Sequence, residues 1–153
     1  MKHEPSDRVV IKTESISAPI EKVWHAWTTN EGMQSWLVEN TNIELKLGGK
    51  FEILFGADLP EGSRGSEQCT ILSFAPQKML SFTWNAPPTI PTLRAIGPCT
   101  WVVINFQKTS DNQTSIELNH YGIKSDAEDW DAYFAYFDSA WGHVMQALKK
   151  HFE

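Results

Sequence analysis

Residues 125–153, SDAEDWDAYFAYFDSAWGHVMQALKKHFE, decide the fold. Ser125 and Glu128 have the spacing of a capping box, and acidic residues open the stretch while basic residues close it, as the helix dipole prefers. The pattern predicts a helix of about 25 residues, or about 38 Å, which is long enough to lie across a whole sheet. Its apolar residues recur every three or four positions, on one helical face: Trp130, Tyr133, Phe134, Phe137, Trp141, Val144, Met145, Leu148 and Phe152.

The chain before this helix changes to a period of two, which is typical of strands with one buried face. A β-hairpin is expected where apolar residues alternate over 43–47 and 51–55, with a turn at Gly48 and Gly49. Residues 85–98 contain four of the eight prolines and are expected to form an irregular loop. Four further strands, antiparallel because their connections are short, are predicted at residues 66–74, 78–84, 99–108 and 113–121.

The N-terminal part adds one strand and two short helices. A first strand is predicted at residues 8–16, and Ser17 is expected to cap a helix whose apolar face holds Ile20, Val23, Trp24 and Trp27. Thr28, Thr29 and Asn30 end that helix and are expected to cap a second one that finishes near Trp36. The order predicts an α+β fold in which a curved antiparallel sheet wraps around the long C-terminal helix. We expect a tail at residues 1–7 and a single domain at residues 8–153.

The charge balance narrows the classes of partner. The chain has 13 Lys plus Arg against 19 Asp plus Glu, a net charge of -6. We therefore expect neither nucleic acid nor an anionic membrane surface as a partner, since both need a basic face. The N-terminus has no apolar core of a secretory signal, so a cytoplasmic location is expected. Cys69 and Cys99 are expected to be reduced, and no motif for a metal, a cofactor or a catalytic nucleophile is present.

Seven tryptophans in 153 residues are the unusual feature of the composition. Four of them lie on helices with core spacing and are expected to pack there: Trp24, Trp27, Trp36 and Trp130. Trp101 shares its parity with Val103 and is expected on the outer face of the sheet, half exposed. Trp84 and Trp141 remain as candidates for the wall of a cavity, and a wall rich in indole suits a flat ligand.

His120 is the most informative polar residue. In TSIELNHYG it has the parity of Ile116 and Leu118, so its side chain points to the apolar face of the sheet. It is either a neutral histidine bonded to a neighbour, or a group that orients a ligand or acts as a general base. The neighbouring Glu117 and Asn119 have the opposite parity, so no carboxylate partner is expected on that face.

Five segments together resemble the AHSA-type family, the domain named for activators of heat-shock-protein ATPase: residues 16–36 (ISAPIEKVWHAWTTNEGMQSW), 45–53 (LKLGGKFEI), 71–84 (ILSFAPQKMLSFTW), 114–123 (TSIELNHYGI) and 140–148 (AWGHVMQAL). The resemblance implies the helix-grip fold of the START-like, SRPBCC superfamily, with a cavity between sheet and C-terminal helix. Members of that superfamily bind apolar molecules, and a few are cyclases or components of hydroxylating enzymes.

The expected function is a binding module for a small apolar or aromatic molecule, without catalytic residues, metal or cofactor, as a monomer or weak homodimer. One alternative is a cyclase, dehydratase or hydrolase that uses His120 as acid or base. Another is an interaction protein, either a stress-related partner or a regulator of a chaperone ATPase. Loop 85–98 is either a lid over the cavity or a surface connection. The residues expected to bind the ligand are Phe51, Ile53, Phe55, Phe82, Trp84, Ile104, His120, Tyr133, Phe137 and Trp141.

Overall fold

The computed structural model describes residues 8–153, so the tail predicted at residues 1–7 lies outside the described range. Within that range the chain forms seven strands and four helices. In chain order they are β1 (Arg8–Ile16), α1 (Ile20–Thr28), α2 (Asn30–Gln34), β2 (Thr41–Ile43), β3 (Phe51–Ile53), β4 (Ile71–Ala75), β5 (Met79–Trp84), α3 (Pro91–Arg94), β6 (Thr100–Ser110), β7 (Gln113–Ile123) and α4 (Glu128–His151).

The main sheet has five antiparallel strands in the order β1-β7-β6-β5-β4. The hairpin β2–β3 continues it at the β4 end, where a bridge joins Lys50 to Thr70 and the Phe51 N–H donates to the Cys69 carbonyl at 2.9 Å. The prediction of an α+β fold with a curved antiparallel sheet and a long C-terminal helix is confirmed.

Helix α4 packs its aromatic face on the sheet and is fastened along the edge strand β1. Lys12 pairs with Asp138 at 3.0 Å, and Glu14 pairs with Lys149 at 3.1 Å. Arg8 pairs with Asp131 at 2.8 Å, nearer the start of the helix. These pairs are partly exposed and each contributes roughly 1 kcal/mol or less, so they orient the helix more than they stabilise it. The buried face of the helix holds Trp130, Tyr133, Phe137, Trp141, Val144, Met145 and Leu148.

Two of the predicted helix caps are wrong. Helix α1 has Pro19 at its N-cap, so Ser17 lies too early to cap it. Helix α4 begins at Glu128, and Ala127 occupies its N-cap position without a side-chain hydrogen bond. Ser125 lies two residues before that position, too early to cap the helix. The cap predicted for the second short helix is confirmed, since the Gly32 N–H donates to Thr29 Oγ1 at 2.9 Å.

Strands β2, β3 and β4 are shorter than predicted, and loop 85–98 contains one regular helical turn. Strand β2 ends at Ile43 because the chain turns beyond Glu44, where the Lys46 N–H donates to the Glu44 carbonyl at 2.8 Å and the Gly49 N–H donates to the Lys46 carbonyl at 2.9 Å. Strand β3 ends at Ile53, which leaves Phe55 outside the sheet. Strand β4 begins only at Ile71, since the φ of 70° at Gln68 lies in the left-handed region and interrupts the extended backbone before it. The loop contains the one-turn helix α3.

The interior between sheet and helix is filled by aromatic side chains. Phe51 stacks on Phe82 with ring centroids 4.0 Å apart, and Phe82 meets the edge of Trp84 at 5.6 Å. The four tryptophans expected to pack on helices do so: Trp27 and Trp130 are buried, and Trp24 and Trp36 pack against the core. Trp101 is 41% exposed on the outer sheet face, as predicted. No helix in the part of the chain that the structure describes is long and apolar enough to span a membrane.

Candidate ligand-binding groove

A surface groove separates α4 from the β2–β3 hairpin and the loops that follow it. It has two adjoining halves that share the side chains of Phe55, Trp84, Tyr136 and Phe137. The apolar half has a volume of about 340 Å³, within the range of small-molecule sites. Besides the shared side chains it is lined by Leu37, Ala140, Trp141, His143 and Val144.

Local structure explains why this half stays open. Trp84 ends β5 and Trp141 lies in the middle of α4, and their rings approach to 5.0 Å, which closes the inner end. Ala140 has no side chain beyond Cβ, so a gap remains beside the indole of Trp141. Phe55 and Tyr136 form the rims and are 50% and 45% exposed. The result is an apolar slot with aromatic walls and a mouth open to solvent.

The polar half has a volume of about 250 Å³ and adds side chains from two loops. Arg94 borders it and is fully engaged: Nη1 donates to the Ala86 carbonyl at 2.7 Å, Nε to the Gly62 carbonyl at 3.1 Å, and Nη2 pairs with Glu67 at 3.0 Å. Asn85 also borders it. The remaining lining residues are Gly56, Leu59, Ser63, Arg64, Gly65, Ala86, Pro87 and Pro88.

Loop 85–98 forms a fixed wall of the groove. The contacts of Arg94 bind the loop to the segment around Gly62, and Thr92 donates to Asp129 at 2.5 Å at the start of α4. Within the loop, the side chains of Ile90 and Leu93 are buried. The loop therefore borders the groove as an anchored wall, and its role as a lid or as a surface connection stays a prediction.

A buried polar network lies directly behind the groove wall. The Trp141 Nε1–H donates to His120 Nδ1 at 2.9 Å, so the ring proton of His120 is on Nε2, which donates to Thr100 Oγ1 at 2.8 Å. The Tyr133 hydroxyl lies 2.6 Å from the same Thr100 oxygen. Burial lowers the pKa of His120 to about 3 and raises the pKa of Tyr133 well above its usual value. His120 is therefore neutral, and it orients the indole of Trp141.

The structure places the ten expected ligand-binding residues in two groups. Phe55, Trp84, Phe137 and Trp141 border the groove. The other six lie in the filled core, each at most 1% exposed, and border neither half of the groove: Phe51, Ile53, Phe82, Ile104, His120 and Tyr133.

Several residues that line the groove are not among the ten predicted from the sequence. Tyr136, Ala140 and His143 are spaced i, i+4 and i+7, so they form a row on α4 beside the row of core residues. This spacing is visible in the sequence and indicates that the three side chains share one face of the helix. Arg64, Asn85 and Arg94 come from loops that no periodicity describes. Leu37 follows the second short helix, just past the predicted end of that element.

The potential metal ligands of residues 8–153 are dispersed, and burial raises the pKa of both cysteine thiols. No group of three His, Cys, Asp or Glu side chains in this range is placed to hold a metal. Cys69 and Cys99 are free thiols, and burial raises the pKa of Cys69 to about 12. The thiol of Cys69 is therefore protonated at neutral pH and is a poor nucleophile.

The curved sheet, the long C-terminal helix and the aromatic groove between them define a helix-grip domain of the START-like, SRPBCC class. Comparison with family models gives the particular family. The chain belongs to the Activator of Hsp90 ATPase homolog 1-like protein family, AHSA1, whose model matches residues 17–153. No curated protein matches the chain.

Solved structures of low sequence identity have the same fold. Protein MLL2253 from Mesorhizobium loti superposes with a TM-score of 0.70 at 21% identity, over 94% of this chain and 96% of that one. The Aha1 dimer from Colwellia psychrerythraea gives 0.71 at 18% identity, over 95% and 96%. Protein BH1534 from Bacillus halodurans gives 0.68 at 19%, over 97% and 99%.

Proposed function

We propose that this protein is a binding module that holds a small apolar or aromatic molecule in the groove between α4 and the β2–β3 hairpin. The observation that carries the proposal is the pair Trp84 and Trp141, two buried indoles 5.0 Å apart that line an open apolar slot of about 340 Å³. Phe55 and Tyr136, 50% and 45% exposed on the rims of this slot, offer aromatic area on which a flat ligand stacks and which it removes from water.

The ligand contacts we propose are narrower than those expected from the sequence. Phe55, Trp84, Phe137 and Trp141 contact the ligand, with Tyr136 and Ala140 completing the slot. His120 acts one layer behind, since its Nδ1 accepts the indole N–H of Trp141 and fixes the ring against the groove.

The acid–base alternative receives less support from the geometry. Both ring nitrogens of His120 are engaged by protein groups, and the ring is fully buried. A general base must reach the proton that it removes, directly or through one water. Trp141 stands between His120 and the groove, so we assign the histidine a positioning role in ligand binding.

Filling the slot tests this function. Ala140→Leu adds a branched side chain on the groove floor while keeping a good helix former. We expect it to weaken binding of flat aromatic compounds at least about tenfold. Binding is measured by native mass spectrometry of the full chain with a panel of apolar and aromatic compounds, and by quenching of tryptophan fluorescence.

Ala135→Leu is the matched control, because Ala135 lies on the exposed face of the same helix and borders neither half of the groove. It should bind like the wild type. The proposal is overturned if no compound in the panel binds the wild-type protein, or if both variants bind every compound with wild-type affinity.

A further inference from the structure

The polar half of the groove holds a cation, Arg64, that pairs with no carboxylate of residues 8–153. The Nε–H of Arg64 donates to the Leu59 carbonyl at 2.8 Å, and the backbone N–H of Arg64 donates to Glu67 Oε1 at 2.9 Å. The terminal nitrogens Nη1 and Nη2 contact no acceptor within residues 8–153, and no carboxylate in that range pairs with them. A held side chain thus presents four free N–H donors.

Arg94 borders the same half of the groove, but unlike Arg64 it is paired with a carboxylate. Its guanidinium donates to two carbonyls and pairs with Glu67, which is mostly buried. Glu67 therefore compensates the charge of Arg94, whereas no carboxylate of residues 8–153 compensates that of Arg64. Of the two arginines that border the groove, Arg64 is the one available to a ligand.

The charged side chains that line the polar half of the groove are positive, although the net charge of the chain is negative. Net charge is -6, yet none of the described residues bordering either half is an aspartate or a glutamate. An anion that enters meets a guanidinium and no lining carboxylate. Partly desolvated sites strengthen such an attraction relative to open water.

Asn85 supports the reading of this half as a recognition surface. It is 6% exposed, and its Nδ2 donates to the carbonyls of Gly65 and Glu67 at 3.2 and 3.3 Å. These two bonds fix the amide, whose Oδ1 accepts no hydrogen bond within residues 8–153. The segment that carries Arg64 is thereby tied to the end of β5, beside Trp84.

We propose that the ligand is a flat apolar carboxylate, with its ring system against Trp84 and Phe137 and its carboxylate on Arg64. This proposal rests on the binding function proposed above and specifies its ligand class. All three side chains border the polar half, so one molecule reaches them together. The terminal nitrogens of an arginine match a carboxylate with two parallel hydrogen bonds, which gives orientation as well as affinity.

The test compares 2-naphthoate with its neutral analogue 2-naphthamide on the full chain, by calorimetry and by quenching of tryptophan fluorescence. We expect wild type to bind the carboxylate about tenfold more tightly than the amide. Arg64→Gln should remove this preference by weakening 2-naphthoate alone. Lys78→Gln, which changes the net charge equally at an exposed position outside the groove, should leave both affinities unchanged.

The outcomes separate this inference from the proposed function. If wild type binds the amide as tightly as the carboxylate, the assignment of Arg64 is overturned while the binding function stands. If Arg64→Gln weakens both compounds equally, Arg64 shapes the groove without recognising the anion, and the inference is again wrong. If neither compound binds wild type, both proposals fail for this ligand class. The wild-type comparison needs no variant and is unaffected by any folding defect of Arg64→Gln.

Discussion

His120 links the stability of the protein to pH through its burial. Its pKa is lowered from 6.5 to about 3, with desolvation as the cause. Between these values the unfolded chain binds a proton at this residue and the native chain does not. The free energy of unfolding therefore falls as pH is lowered through that window, by up to about 1.4 kcal/mol per pH unit for one proton. Tyr133, the titratable neighbour, is neutral throughout this window, and burial raises its pKa further from it.

His120→Gln should flatten this pH dependence. Glutamine can accept from the Trp141 indole and donate to Thr100, but it does not titrate. We expect the free energy of unfolding of the variant to change less than that of wild type between about pH 6.5 and pH 5. Urea denaturation across this range measures it. His143→Gln, on the exposed face of α4, is the control and should keep the wild-type profile. Parallel profiles for His120→Gln and wild type would contradict the assignment.

At the scale of elements, replacing a glycine by alanine should change the free energy of unfolding in opposite directions at two positions, Gly122 and Gly142. Gly122 in β7 has a φ of 84°, and a Cβ there would lie 2.7 Å from Cζ3 of Trp101 and 3.3 Å from Cα of Thr100. Gly142 lies inside α4, where a Cβ meets no atom within 4 Å. One glycine is required by the backbone and its neighbours, whereas the other only weakens the helix.

Gly122→Ala should lower the free energy of unfolding by about 1–3 kcal/mol through backbone strain and the clash with Trp101. Gly142→Ala should raise it by about 0.5–1 kcal/mol through helix propensity. Urea denaturation followed by circular dichroism measures both. Changes of the same sign in the two variants would show that the local backbone is not as described.

The elements differ in how well the sequence predicts them, for a physical reason. The aromatic row of α4 and the alternation in β6 and β7 extend over many residues, so periodicity defines these elements clearly. Periodicity does not show where main-chain hydrogen bonding stops. Leu45 and Leu47 alternate like strand residues but are exposed past the end of β2, and the positive φ of Gln68 delays β4. Neither effect leaves a signal in side-chain pattern.

At the scale of the whole molecule, the sequence predicts which residues face inward but not how much space remains. Parity places Phe51, Phe82 and His120 on the inner face, and they are there. Whether that face borders a cavity depends on packing between distant elements, such as the 4.0 Å stack of Phe51 on Phe82. The open space lies instead at one side of α4, where loop residues such as Arg64 complete a groove that no local pattern describes.

This division into a filled core and an open groove predicts different costs for two phenylalanines. Phe82→Ala removes a fully buried ring that stacks on Phe51, so it should lower the free energy of unfolding by about 3–5 kcal/mol. Phe55→Ala removes a ring that is half exposed on the groove rim, and we expect a loss of about 1 kcal/mol or less. Urea denaturation of both variants gives the comparison. A small loss for Phe82→Ala would mean that the ring borders empty space, and the ligand site would then extend inward between sheet and helix.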